Sequence, residues 1–76
     1  EIATALIRMA REAVCEHPES LILSLAGGNA SAIEAKTVFD ASKAGDAVAV
    51  SVYNRFISNL SQAVASVVNL LGSMIG

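Results

Sequence analysis

Apolar residues recur every three or four positions along the start of this chain, at Ile2, Leu6, Met9, Ala10, Ala13 and Val14. That is the spacing of one buried helix face. Arg8, Arg11, Glu12 and Glu16 take the other side, so the pattern predicts a helix over Ile2–Glu16, stopped by Pro18, which pushes its predecessor out of helical backbone. Glu19 or Ser20 is placed to cap a short turn over Leu21–Leu25. The pair Gly27-Gly28 follows, as a turn needing positive φ. A second main helix is expected over 35–44, with Val38, Phe39 and Ala41 or Ser42 inward and Gly45 in the left-handed position beyond its end. Asp46 then caps a third helix over 47–71, about 37 Å long. One stripe of that helix is Ala49, Val52, Tyr53, Phe56, Leu60, Ala63, Val64, Val67 and Leu71; Val48, Val50, Ile57, Val68 and Leu70 lie outside it. Gly72 closes the helix, and 73–76 read as the opening of a strand. The expected fold is therefore all-α, with three main helices and the last one long.

Composition sharpens this. In 76 residues, 54% are hydrophobic and 16% charged, against about 45–50% and about 25% in ordinary globular chains. A small domain has proportionally more surface, so it should be more polar than average. A helix apolar on most sides belongs against a larger body, and two short helices cannot wrap 37 Å of it. The expectation is one helical piece, 1–76, that belongs to something larger or self-associates through its long helix as a homo-oligomer.

Candidate chemistry is thin. A net charge of −2 with five scattered basic residues gives no footprint for nucleic acid. A single cysteine, Cys15, reads as a semi-buried small hydrophobe near a helix end. His17 reads as a C-terminal cap partner. Neither has the neighbours a metal site or a nucleophile–base set requires. Gly27-Gly28 lacks the lysine of a phosphate loop and the third glycine of a dinucleotide turn. Asp40 and Asp46, six apart, do not share a helix face; Asp40 reads as solvated and Glu34 as sitting at a helix entrance. No uncharged run that is also apolar over about 18 residues occurs, since serines, asparagines and Gln62 interrupt 56–71, and no signal peptide is seen, so a cytoplasmic location without a membrane partner is expected.

One resemblance carries more. Leu25-Ala26-Gly27-Gly28, then 35–46 (AKTVFDASKAGD), resemble the LAGG and (I/V)TAKDVFEAAKAGD segments in the C-terminal region of ROK-family sugar kinases (repressors, open reading frames and kinases). Thr4-Ala5-Leu6-Ile7 with Ala10-Arg11-Glu12 resembles the helix that follows the family's zinc motif, and 63–71 (AVASVVNLL) resembles its (I/L)AN(L/I)INLL helix end. Glu34 and Thr37 stand where threonine and aspartate are frequent. The family's Pro-Glu segment after NLL is replaced by Gly72-Ser73-Met74-Ile75-Gly76.

The resemblance implies a parent with an actin-like α/β fold, shared with the heat-shock ATPase chaperones, that transfers the γ-phosphate of ATP, with Mg, to a hexose hydroxyl. It implies that the aspartate base, the phosphate loop and a structural zinc site lie upstream of Glu1. The residues of this piece offer no catalytic or metal-ligating group, its cofactor-binding residues are left open, and neither ATP, Mg nor zinc is expected to bind this piece by itself. Its task would be to back the sheet of the C-terminal domain and carry domain closure. A sugar-responsive repressor of the same family and a stand-alone helical interaction module are the alternatives.

Overall fold

A computed structural model describes the backbone of residues 2–75 and the side chains of 4–75. The four α-helices are α1 (Ile2–Glu16), α2 (Leu21–Leu25), α3 (Ala35–Lys43) and α4 (Ala47–Ile75), with a 3₁₀ turn at Ala30–Ala32 between α2 and α3. No strand occurs among the described residues, as the hydrophobic periodicity leads one to expect.

The helices start and stop where local chemistry dictates. After α1, the Ser20 N–H donates to the His17 carbonyl at 3.0 Å, which closes the turn around Pro18. Ser20 is the N-cap of α2, its Oγ accepting from the Ile22 N–H at 3.2 Å. Both glycine-terminated helices, α2 and α3, end alike. Gly28 N–H donates to Leu23 O and Gly27 N–H to Ser24 O; Asp46 N–H donates to Ala41 O and Gly45 N–H to Ser42 O. This paired return of amides onto the last carbonyls needs a left-handed residue just past the helix. Gly27 and Gly45 supply it, at φ 71° and 89°.

The core is built by one side of each element. Leu6, Ala10 and Val14 of α1 meet Ile22, Ile33, Val38, Ala41 and the first turns of α4 at Ala49 and Val52. Met9 and Ala13 pack partly against them, so the α1 face read from its spacing is the buried one; the Ile2 side chain lies outside the described residues. On α3 the inward pair is Val38 and Ala41. Phe39, expected inward, is instead 47% exposed. Its ring tilts toward Tyr53 at 6.4 Å between centroids, with Lys43 Nζ 5.4 Å above it. At nine residues, α3 has room for a narrow buried stripe only, and 38 and 41 occupy it.

The long helix departs most from expectation. It does not stop at Gly72; it continues through Ile75, so 73–75 are helical rather than the start of a strand. Glycine weakens a helix interior by only about 1 kcal/mol, and without a left-handed C′ residue it does not end one. α1 runs antiparallel to α4, with His17 near Ala47 at one end of the pair and Ala5 near Leu60 at the other. The stripe read along all of α4 is therefore buried only at its head. Ala49 and Val52 are covered and Tyr53 and Phe56 half-covered, while every residue from Ile57 to Ile75 is exposed.

Candidate functional site

The polar chemistry of this molecule concentrates at one junction, where α2, the end of α3 and the start of α4 meet. Asp46 sits at its centre. Oδ2 accepts from the Ala49 N–H at 3.0 Å, the expected cap of α4. The same carboxylate also reaches back to α2: the Ser20 hydroxyl donates to Oδ2 at 2.8 Å and the Leu21 N–H to Oδ1 at 3.1 Å. Ser20 is buried, so its hydroxyl and the carboxylate satisfy each other away from water. Partial burial pushes the Asp46 carboxyl up; the bonds from Leu21, Ser20 and Ala49 outweigh it and hold the group below its ordinary value.

That second role was not legible from sequence. A capping aspartate before a helix is a local signal; a partner 26 positions earlier has none. The coupling exists because the Schellman turn at Gly45 brings Asp46 round to face the start of α2.

The glycine pair is spent in the same manner. Both Gly27 and Gly28 amides donate to carbonyls of α2, so the turn reading holds and neither amide is aimed outward at a phosphate. A second unforeseen tie lies nearby. Arg11 Nε and Nη2 donate to the carbonyls of Ala30 and Ser31, each at 3.1 Å, strapping the 3₁₀ turn onto α1. The Asn29 side chain starts that turn by accepting from the Ser31 N–H at 3.0 Å.

The remaining singled-out residues are peripheral. Cys15 is exposed rather than semi-buried, because Val14 takes the inward position beside it. His17 turns its Nδ1 toward Glu19 Oε2 at 3.4 Å; its backbone N–H, not its ring, bonds the end of α1, through Ala13 O at 2.9 Å. Asp40 pairs with Lys36 at 2.8 Å on the outer face of α3, and that hydrogen bond raises the Lys36 ammonium above its ordinary value. Glu34 is the N-cap of α3, as its place at the entrance implies, and its N–H donates to Thr37 Oγ1 at 3.0 Å. Thr37 therefore earns its position as a helix-start residue.

An open groove of about 570 Å³ lies between the end of α1 and the start of α4. Glu12, Glu16 and His17 stand on one wall, Ser51 and Arg55 on the other, over Met9, Val48 and Val52. Among the described residues, no three of the His, Cys, Asp and Glu side chains are grouped to hold a metal ion. No helix of the described residues is long and apolar enough to cross a membrane.

Over 68 residues, 90% of its length, the chain is 37% identical to the glucokinase of Thermotoga maritima. It spans 21% of that protein. No protein-family model matches the chain, and no solved structure matches it. The chain is thus related in sequence to a sugar kinase, over a stretch about a fifth as long as that kinase.

Proposed function

We propose that this chain is a helical segment of an ATP-dependent hexose kinase of the ROK type, and that it supplies framework rather than reacting groups. The observation that carries this reading is the 37% identity to a glucokinase along 68 residues. The way the polar groups are used supports the framework role. Asp46, Ser20, Gly27, Gly28, Arg11 and Thr37 are the residues one would inspect for phosphate or sugar contact. Each is engaged in capping a helix or tying one element to the next.

These residues do not fit a nucleotide or metal site, so no catalytic step runs through them. What they do is hold the turn after α2 and the start of α4 in one rigid arrangement. In the intact kinase that rigidity positions neighbouring elements against which the hexose and ATP are gripped. The kinase reading brings with it a cytoplasmic location.

The test is to read the coding sequence on both sides of these residues and to assay the product of the whole reading frame. Phosphorylation of a hexose at the expense of ATP, by a protein with an aspartate base and a phosphate loop upstream, is the expected result. An upstream helix-turn-helix, with DNA binding relieved by sugar and no turnover, would replace the kinase with a sugar-responsive repressor. A reading frame confined to these residues would leave a helical interaction module.

A further inference from the structure

We draw no further inference here: the strongest candidate, the open groove between the end of α1 and the start of α4 where Glu12, Glu16 and His17 stand across from Ser51 and Arg55, carries nothing, because nothing in the structure shows what covers it.

Discussion

Asp46 illustrates how much one side chain can hold when its acceptor capacity is fully used. A carboxylate that caps a helix is worth about 0.5–2 kcal/mol; this one also satisfies a buried hydroxyl and the first amide of α2. Replacing it with alanine should cost about 2–3 kcal/mol, because Ser20 is left buried without its acceptor. Urea titration at neutral pH would measure it, and a loss below about 0.5 kcal/mol would mean the α2 bonds contribute nothing. The pH dependence follows from the lowered carboxyl. The unfolded chain takes up this proton first, near the ordinary carboxylate value of about 3.9. The stabilisation is therefore complete above that pH and is lost as the pH falls through the lower folded value. Asp46→Asn should lack that component, so the stability difference between the two proteins should shrink between pH 5 and the acid limit. A constant difference would contradict the assignment. The cap of α4 was legible from an aspartate following glycine; the bond to Ser20 was not, because it joins positions far apart in the chain.

The elements themselves are bounded by glycine chemistry rather than by loop length. α2 and α3 both end with amides folded back onto the last carbonyls, and both need a residue at positive φ. At Gly45 nothing stands within 4 Å of an added Cβ, so a side chain there meets no clash; the cost is conformational, at φ +89°. Gly45→Ala should therefore destabilise by about 1–2 kcal/mol without altering the fold, measurable as a shift in the urea midpoint at unchanged slope. Gly72 sits within α4, and Gly72→Ala should do the opposite, raising helicity by about 1 kcal/mol; a loss of stability there would show that α4 is broken at that point. These two glycines look alike in sequence. Gly45 is preceded by a helix whose apolar face ends at Ala41, and is followed by a capping aspartate. Gly72 has an apolar pattern on both sides, and that pattern carries the helix through it. The same scale explains Phe39. Helical spacing places it beside Val38, but a nine-residue helix lying on α1, α2 and α4 buries one narrow stripe and leaves the neighbouring aromatic outside.

At the scale of the whole molecule, a compact head carries a projecting arm. The extents are 52 × 22 × 20 Å and the radius of gyration 15.1 Å, against about 11 Å for a compact chain of this length. The head rests on few fully buried side chains, with Ile22 and Val38 the largest apolar ones. A core this small has little reserve. Ile22→Ala, which empties its centre, should cost about 2–5 kcal/mol and unfold α1, α2 and α3 together. Near-complete loss of far-UV helical signal at 37 °C is the expected readout; retention of a cooperative melt within a few degrees of the parent would show that the head is held elsewhere.

By itself, the sequence determined the all-helical class, the positions of all four helix starts, the buried face of α1 and the glycine stops after α2 and α3. These are local matters, decided within about one helical turn by side-chain periodicity, capping and backbone strain. The kinship with sugar kinases was likewise readable in the residues around Gly27 and Gly45. Tertiary structure alone decided which half of the α4 stripe is buried, that Phe39 and Cys15 face outward, and that Asp46 and Arg11 join elements distant along the chain. Periodicity states that a face is apolar; only the length of the neighbouring helices states how much of it they can cover. Here α1 reaches Leu60, and the described residues beyond it on α4 stay uncovered.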